Sequence, residues 1–301
     1  MHTSTTSTVP LVSWTVAQLL EATQGYWLND QAPNTEIKRI LTDSRDAEAG
    51  DAFLALKGER FDAHAFITQV AEQGCQVAIV SQPIDAEICQ LVVPDTRLAL
   101  GQLGAYRRAQ NPQLKVIALT GSSGKTTTKE MLGSILSRIA PTLVTRGNLN
   151  NDLGVPVMLL ELCPEHQYAV MELGASHQGE IDYTSNLVQP LVAGIINIGT
   201  AHLGEFGGRD GICRAKSEIY AHIAPNGTSI VPAADDFADS IRQAVQTEPV
   251  LSFGAGGEIF ATEIELQAQS ATFKLNTPQG VRQVNLPFAG EHNVQNATAA
   301  A

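Results

Sequence analysis

Residues 116–128 restrict the possible folds of this chain more than any other stretch. Residues 116–119 are apolar, and they lead into a short loop in which Gly121 and Gly124 enclose two serines. Apolar side chains then recur at helical spacing, namely Met131, Leu132, Ile135, Leu136 and Ile139. The pattern predicts a strand, a tight glycine loop and a helix, which is a typical unit of an α/β domain.

This loop has the features of a phosphate-binding loop. Glycines allow the backbone to turn sharply and point its N–H groups inward, and the start of the helix adds positive potential. Lys125 can reach the β- and γ-phosphates of a nucleotide, and the Thr126 hydroxyl can bind Mg²⁺. Leu119 stands where the usual pattern has a further glycine, so the loop is a shortened variant. The alternative is a glycine–serine turn that precedes Lys-Thr by chance.

The charge balance argues against nucleic acid or an anionic membrane as partner. The 301 residues are 44% hydrophobic and 17% charged, which suits about two globular domains. The net charge is −12, and both halves are acidic: residues 1–110 carry 8 basic and 13 acidic side chains, and the rest carry 11 and 18. Any phosphate must therefore be bound locally, by loops and single cations.

The cysteines favour a reducing compartment. Cys75, Cys89, Cys163 and Cys213 are far apart and form no CxxC pair, which argues against a metal cluster and a disulfide framework. Free thiols are typical of the cytosol, so we expect a cytoplasmic protein. Residues 1–10 lack the basic start and apolar run of a signal peptide, and no apolar stretch is long enough to cross a membrane.

Apolar periodicity predicts a loose tail at 1–13, a small α/β domain at 14–110 and a larger domain at 111–301, divided at Asn111-Pro112. In the first domain we predict helices at 14–23, around 66–71 and at 96–109, with strands at 37–41, 53–56, 77–80 and 91–93. In the second, strands at 116–119, 142–145, 168–173, 191–198 and 228–231 alternate with helices at 179–188 and 210–223, which favours a mostly parallel sheet. Alternation at 273–275 and 284–288 around a turn at 276–280 predicts a small β appendage.

Two further polar side chains are expected beside the phosphate loop. Glu172 ends an apolar strand and His202 follows another, and ligands of parallel sheets lie outside the carboxyl ends of the strands. With Thr126 they could form an oxygen-rich site for Mg²⁺. Taken alone, a histidine such as His202 is more often a hydrogen-bonded loop residue, and Glu172 could equally be a partner in a structural ion pair.

Lys216 interrupts an apolar helical stripe formed by Ile212, Ile219 and Ile223. A lysine at such a position either extends to solvent or has a use. Partial burial would lower its pKa and make the neutral amine available as a nucleophile.

Together these features resemble the Mur ligase family, the ATP-dependent amide-bond-forming enzymes of peptidoglycan precursor synthesis. The resemblance covers residues 14–301 and rests on segments at 120–126, 148–151, 172–177, 215–218 and 292–296. Within the family, the runs at 148–151 and 172–181 most resemble members that add D-alanyl-D-alanine to UDP-N-acetylmuramoyl-tripeptide.

The resemblance implies a role for each segment. Lys125 would bind phosphates, Thr126 and Glu172 would hold Mg²⁺, and His202 would hold a second Mg²⁺. Lys216 matches a carbamylated lysine whose new carboxylate helps to bind that second metal. The implied ATP-binding residues are Gly121, Ser122, Ser123, Gly124, Lys125, Thr126, Thr127, Asn293 and Asn296, with the two asparagines near the adenine. The implied UDP-substrate residues are Ser44, Arg45, Lys57, Gly58, Asp62, His64, Asn150 and Asn151; for the first-domain segments, ordinary turns are the alternative.

The implied activity has two steps. The tripeptide carboxylate attacks the γ-phosphate of ATP to give an acyl phosphate, and the D-alanyl-D-alanine amine then displaces phosphate, with Lys125, Glu172, His202 and Lys216 as catalytic residues. A monomer is expected. The family also has a third domain, which binds the amine substrate and closes over ATP, and this sequence does not contain it. We therefore expect the chain to be a truncated form that binds the UDP substrate with little turnover.

Other readings stay open. The chain could be a sibling ligase that adds the third amino acid, or a related carboxylate–amine ligase such as a folate polyglutamylating enzyme, which acceptor specificity would reveal. It could also be a nucleotide-binding regulatory module without ligase activity, or a small-molecule kinase that transfers phosphate stably to an acceptor.

Overall fold

The computed structural model describes residues 12–58, 61–201 and 203–301. The chain forms two compact units. The first consists of the described residues up to Pro112 together with Pro156–Glu165, and the second of Gln113–Val155 and His166–Ala301. The sequence pattern gave no sign that 156–165 groups with the first unit. Gly104 is part of the reason, because a Cβ there would lie 3.1 Å from the Pro156 Cα, and its absence permits this close approach.

The first unit is built on a five-stranded sheet in the order β1-β5-β4-β3-β2, in which β1 is antiparallel to β5 and the other neighbours are parallel. Its strands are β1 (Tyr26–Trp27), β2 (Ile40–Leu41), β3 (Ala52–Leu54), β4 (Val77–Val80) and β5 (Cys89–Val92). Its helices are α1 (Val16–Thr23), α2 (Ile67–Glu72) and α3 (Thr96–Ala109). Phe53, Ile67 and Val70 lie in its core. The strand predicted at 37–41 is shorter, since Ile37 forms only an isolated bridge with Trp14.

The second unit contains a fully parallel six-stranded sheet in the order β11-β10-β9-β6-β8-β7. Its strands are β6 (Lys115–Thr120), β7 (Thr142–Val144), β8 (Tyr168–Glu172), β9 (Val192–Ile195), β10 (Thr228–Pro232) and β11 (Val250–Phe253). Its helices are α4 (Lys125–Leu136), α6 (Glu180–Val188), α7 (Leu203–Phe206), α8 (Arg209–Ser217) and α9 (Ala238–Ala244), while α5 (Gly154–Leu160) passes from the second unit into the first. The parallel sheet confirms the predicted α/β class, and it places the ends of β6, β8 and β9 side by side.

Three predicted apolar patterns extend further than the buried face or the element that the structure shows. Leu132 and Leu136 of α4 pack against the Leu119 cluster, but Ile135 and Ile139 are exposed, so the apolar stripe overstates the buried face. The strand predicted at 191–198 ends at Ile195. Ile196 and Ile198 are also buried, so the apolar pattern continues beyond the last residue that pairs with a neighbouring strand. The helix predicted at 210–223 ends at Ser217 and continues as a single 3₁₀ turn, Glu218–Tyr220.

The β appendage is a three-stranded antiparallel sheet followed by a helix. The strands are β12 (Phe260–Leu266), β13 (Ala271–Thr277) and β14 (Gly280–Leu286), and the helix is α10 (Glu291–Ala300). Thr277 pairs with Gly280, so the predicted turn is only two residues long. Phe273 packs with Leu286 and Val294 in a small core. The segment at 292–296, which resembled a binding motif, lies within the helix α10. In the part of the chain that the structure describes, no helix is long and apolar enough to span a membrane.

Candidate nucleotide-binding site

The predicted phosphate loop connects the central strand β6 to α4. Lys125 folds back over the loop, and its Nζ donates to the Gly121 carbonyl at 2.9 Å. Burial lowers the pKa of Lys125, and the nearby Glu172 carboxylate partly opposes this effect. Gly124 has φ +76°, and a Cβ there would collide with the Asn296 side chain. Glycine is therefore required at position 124 both by its backbone angle and by its neighbour.

Asn197 braces the loop from the neighbouring strand, and the sequence patterns did not single it out. Its Oδ1 accepts from the backbone N–H groups of Ser122 at 3.2 Å and Ser123 at 3.0 Å, and its Nδ2 donates to the Ser123 carbonyl at 3.1 Å. Ser122 makes one more contact, because its Oγ accepts from the Gly199 N–H at 2.8 Å. These hydrogen bonds fix the conformation of the loop. The sequence pattern predicts that Asn197 lies within a strand at 191–198, but Asn197 lies two residues past the end of β9.

Replacing Asn197 by alanine should weaken ATP binding about tenfold, because the loop loses a set of hydrogen bonds worth about 1–2 kcal/mol in total. Calorimetric titration of the variant and the parent chain with ATP measures this loss. The matched control is Asn276→Ala, because the Asn276 amide donates only within the three-stranded sheet among its described contacts. Equal ATP affinity of Asn197→Ala and the parent chain would show that the hydrogen bonds of Asn197 do not contribute to ATP binding.

Glu172 is a buried carboxylate at the end of β8, with only 2% of its surface exposed. Its Oε1 accepts from Asn150 Nδ2 at 2.8 Å, and its Oε2 accepts from Thr126 Oγ1 at 3.1 Å. Among residues 12–58, 61–201 and 203–301, no basic side chain lies within ion-pair distance of it. Its hydrogen-bond donors are neutral, and the Lys125 charge acts on it only from beyond ion-pair distance, so its burial is costly unless a cation binds to it directly.

The donor set around Glu172 fits Mg²⁺ in a nucleotide site. In the described part of the chain no cluster of three His, Cys, Asp or Glu side chains could form a metal cage. Mg²⁺ does not need such a cage, because it is usually held by one or two carboxylates together with water and substrate phosphates. One buried carboxylate and one hydroxyl beside a phosphate loop match that pattern.

Lys216 lies on α8 and lines the same cavity as Lys125. This cavity has a volume of about 160 Å³ and is lined by Gly121, Ser122, Lys125, Asn150, Asn151, Gly174, Ala175, Ser176, Glu180, Ala201 and Lys216. Lys216 is only 5% exposed, so it does not extend to solvent. Burial lowers its pKa to about 8, with a further contribution from the Lys125 charge. His202 falls outside the described residues, although its neighbour Ala201 lines the cavity.

The two asparagines expected near an adenine occupy α10. Asn296 is buried against Gly124, and Asn293 donates to the Ala289 carbonyl at 2.7 Å. Asn296 Nδ2 also points towards Asn293 Oδ1, at 3.5 Å. Asn296 therefore acts on the shape of the phosphate loop, and Asn293, which is only partly buried, is the better placed of the two to reach a ligand.

Glu218 supports the loop that follows β8; it lies in the segment at 215–218 that carried the family resemblance, but no role for it followed from the sequence. Its carboxylate accepts from the N–H groups of Gly179 at 2.8 Å and Asp182 at 3.1 Å, so it caps α6 from the end of α8. The neighbouring Glu180 accepts from the Ser176 N–H at 2.7 Å. Burial by itself would raise the pKa of the Glu180 carboxyl. The hydrogen bonds from Ser176 and His177 together outweigh that effect, so the pKa of Glu180 is lowered. Two carboxylates thus fix the loop 174–179, part of which lines the cavity.

Replacing Glu218 by alanine should lower the free energy of unfolding by about 1–2 kcal/mol, which is the usual cost of losing a helix N-cap. Urea denaturation measures the change. Glu218→Gln keeps one acceptor oxygen and should lose less than half as much. A Glu218→Ala variant as stable as the parent chain would contradict the assignment of a capping role.

A separate cavity of about 440 Å³ lies in the first unit. It is lined by Thr42, Asp43, Ser44, Arg45, Phe53, Phe61, Ala63 and Phe66. The rings of Phe61 and Phe66 are stacked, with centroids 5.8 Å apart. Arg45 forms an ion pair with Asp43, which lowers the pKa of that carboxyl to about 2. Aromatic faces beside an exposed guanidinium suit a base linked to phosphates.

The other residues predicted to bind the UDP substrate differ in their exposure and in the unit to which they belong. Lys57 is exposed and lies 3.7 Å from Asp62, and the Gly58 N–H donates to the Phe61 carbonyl at 2.8 Å. His64 is buried: its Nδ1 bonds Asp62 Oδ1 at 2.5 Å, and its Nε2 accepts from the Ser81 N–H at 2.9 Å. Both ring nitrogens of His64 are therefore occupied within the protein. Asn150 and Asn151 lie in the second unit, in the cavity of the phosphate loop.

A phosphate loop at the centre of a parallel sheet, with a buried carboxylate beside it, defines a nucleotide-binding α/β protein of the P-loop type. Two family models divide the chain: residues 36–119 match the Mur ligase family, catalytic domain, and residues 119–301 match the Mur ligase middle domain. The second match covers more than half of the sequence, so the chain belongs to the Mur ligase family, which confirms the resemblance seen in its motifs.

Individual relatives agree with this assignment. The chain is 44% identical over 294 residues to the UDP-N-acetylmuramoyl-tripeptide–D-alanyl-D-alanine ligase of Escherichia coli K12, covering 97% of this chain and 64% of the relative. A crystal structure of MurF from Acinetobacter baumannii is 78% identical, with a TM-score of 0.95, and the match covers 97% of this chain and 64% of that one. MurF from Thermotoga maritima, solved in complex with ADP, is 28% identical with a TM-score of 0.79, over 87% of this chain and 61% of that one. This chain therefore spans somewhat under two thirds of the length of these relatives.

Proposed function

We propose that this chain serves an ATP-dependent ligase that joins D-alanyl-D-alanine to UDP-N-acetylmuramoyl-tripeptide through an acyl phosphate. The observation that carries this proposal is the cavity lined by Lys125, Asn150 and Lys216 at the end of the parallel sheet, with the buried Glu172 carboxylate bonded to Asn150 beside it. The name of the E. coli relative supports the choice of substrates, and the ADP complex of the T. maritima relative supports ATP.

In the first step an oxygen of the tripeptide carboxylate forms a bond to the γ-phosphorus of ATP, and ADP leaves. Lys125 would neutralise charge on the transferred phosphate, and the loop N–H groups, held by Asn197, would orient it. In the second step the amine of D-alanyl-D-alanine attacks the acyl carbon, and inorganic phosphate leaves as the amine loses a proton. The protein mainly positions these groups and excludes water.

Thr126 and Glu172 would hold Mg²⁺, which would supply positive charge to the phosphate oxygens. Burial gives Lys216 a pKa of about 8, which leaves part of the amine neutral near pH 7. Its neutral nitrogen would form a bond to the carbon of CO₂ and lose a proton to water, which gives a carbamate. The new carboxylate would hold a second metal, with His202 as a further ligand. The burial of Lys216 within an otherwise apolar stripe supports this modification, since a charged amine does not react with CO₂.

The first unit would bind the UDP part of the substrate. The stacked Phe61 and Phe66 rings offer a face to the uracil base, and Arg45 and Lys57 offer charge to the diphosphate. The hydrogen bonds that join His64 to Asp62 and Ser81 would hold this part of the first unit in a fixed conformation.

Calorimetric titration of the 301-residue chain tests the proposal. We expect binding of ATP in the presence of Mg²⁺ and of UDP-N-acetylmuramoyl-tripeptide, with weaker binding of the corresponding dipeptide form. Equal binding of tripeptide and dipeptide would favour a sibling ligase that adds the third amino acid. Binding of ATP with no affinity for any UDP-muramoyl peptide would favour a nucleotide-dependent regulatory module and would contradict the proposal.

A further inference from the structure

Lys129 is a fully buried cation that the proposed mechanism does not use. It lies on α4 one turn after Lys125, and only 1% of its surface is exposed. Its Nζ donates to the Thr145 carbonyl at 2.8 Å and lies 2.8 Å from Glu130 Oε1, whose own side chain is largely exposed. Burying an ammonium group is costly unless it is well bonded. A surface lysine would serve the helix equally well, so this position calls for a specific explanation.

Thr145, the partner of Lys129, is bonded in turn to the strand that carries Glu172. Thr145 is 1% exposed, and its N–H donates to the Val170 carbonyl at 3.0 Å. Its Oγ1 donates to the same carbonyl at 3.3 Å and accepts from the backbone N–H of Glu172 at 3.0 Å. A continuous series of hydrogen bonds therefore runs from the Lys129 ammonium through Thr145 to the backbone of Glu172.

The helix thus reaches Glu172 at two points. Thr126, in the first turn of α4, contacts the carboxylate itself, and Lys129, in the second turn, holds the backbone that carries it. Since Thr126 and Lys129 share one short helix with the end of the phosphate loop, a movement of the loop relative to β8 would strain both links. The arrangement can keep the carboxylate at a fixed distance from the bound phosphates.

We propose that Lys129 is a positioning residue which, through Thr145, places the Glu172 carboxylate for the Mg²⁺ that accompanies the nucleotide. This inference rests on the proposed function. It differs from a purely structural role for Lys129, which would merely attach the end of β7 to α4. The two roles have different consequences, because positioning of Glu172 affects only the metal-dependent part of nucleotide binding.

The test is a pair of ADP titrations of the 301-residue chain, one with excess Mg²⁺ and one with a chelator. In the parent chain Mg²⁺ should strengthen ADP binding. In Lys129→Met, which keeps the length of the stem but removes the charge, we expect the gain from Mg²⁺ to fall about tenfold while metal-free binding stays within about twofold. Lys129→Arg should restore most of the gain, because it can still donate to the Thr145 carbonyl.

Matched variants separate this effect from general damage. Thr145→Val keeps the shape and removes the acceptor for the Glu172 N–H, so it should reproduce Lys129→Met, and Thr145→Ser should restore binding. Glu130→Gln removes the exposed partner of Lys129 and should leave both titrations unchanged. Circular dichroism checks that each variant is folded; if Lys129→Met is not, the Thr145→Val and Thr145→Ser pair decides the question.

Equal losses of ADP affinity with and without Mg²⁺ would overturn the inference and leave Lys129 a structural role. An unchanged gain from Mg²⁺ in Lys129→Met and Thr145→Val would overturn it as well. Failure of the proposed function looks different, because the parent chain itself would then bind no nucleotide, and the inference would fall with it.

Discussion

Replacing Lys125 by methionine will weaken binding of ATP to this chain about a hundredfold. Charge-assisted hydrogen bonds to phosphate contribute about 2–3 kcal/mol, and methionine retains the side-chain stem without the charge. Stability should not fall in parallel. Burial lowers the pKa of Lys125, which means that the folded state disfavours its charged form. Loss of ATP binding in a chain at least as stable as the parent therefore distinguishes a ligand-binding ammonium from a structural one.

Calorimetric titration with ATP and urea denaturation measure the two quantities separately. The matched control is Lys115→Met, because Lys115 is exposed and lies at the start of β6, the strand that leads into the loop, at the end far from the loop. That control should change neither quantity. ATP affinity within about threefold of the parent chain in Lys125→Met would show that the loop N–H groups alone bind the phosphates.

Lys216 should make the chain more stable as the pH rises from about 8 to 10.5. In the folded chain its pKa is about 8, compared with 10.5 for an ordinary lysine, because burial and the Lys125 charge disfavour the protonated form. Between these values the unfolded chain binds a proton that the folded chain does not, and stability then increases with pH. Below pH 8 both states are protonated, and the folded chain bears a constant cost of about 3 kcal/mol.

Urea denaturation of the parent chain and of Lys216→Met, in CO₂-free buffers at several pH values, isolates this contribution. The difference in unfolding free energy should rise in favour of the parent chain across the interval from 8 to 10.5 and stay flat below it. A flat difference throughout would show that Lys216 is solvated. With ¹³C-labelled bicarbonate, a carbamate resonance should appear in the parent chain and be absent in Lys216→Met, which also tests the proposed modification.

Local patterns in the sequence were enough to select several of the residues that the structure brings together at the candidate site. The glycine loop is defined by contiguous residues, Glu172 by its place at the end of an apolar strand, and Lys216 by a break in an apolar stripe. Each of these signals lies within a few residues of the side chain concerned. The parallel sheet then places their strands side by side without further information.

The supporting residues could not be predicted in the same way, because their partners are distant in the sequence. Asn197 meets Ser122 across 75 residues, and Glu218 meets Gly179 across 39. No spacing rule relates such pairs; only the order of strands in the sheet does. Burial could not be predicted either: Asn296 and His64 matched binding motifs, and the structure shows that both side chains are buried.

The segment Pro156–Glu165 has a practical consequence for dissecting this protein. It belongs to the first compact unit although it is encoded after the phosphate loop. A gene fragment that stops at Pro112 would omit α5 from Pro156 onwards, and would uncover the face of α3 around Gly104 that Pro156 approaches. A fragment meant to carry the first unit alone should therefore be made by joining the two coding segments through a short linker, rather than by cutting the gene at one point.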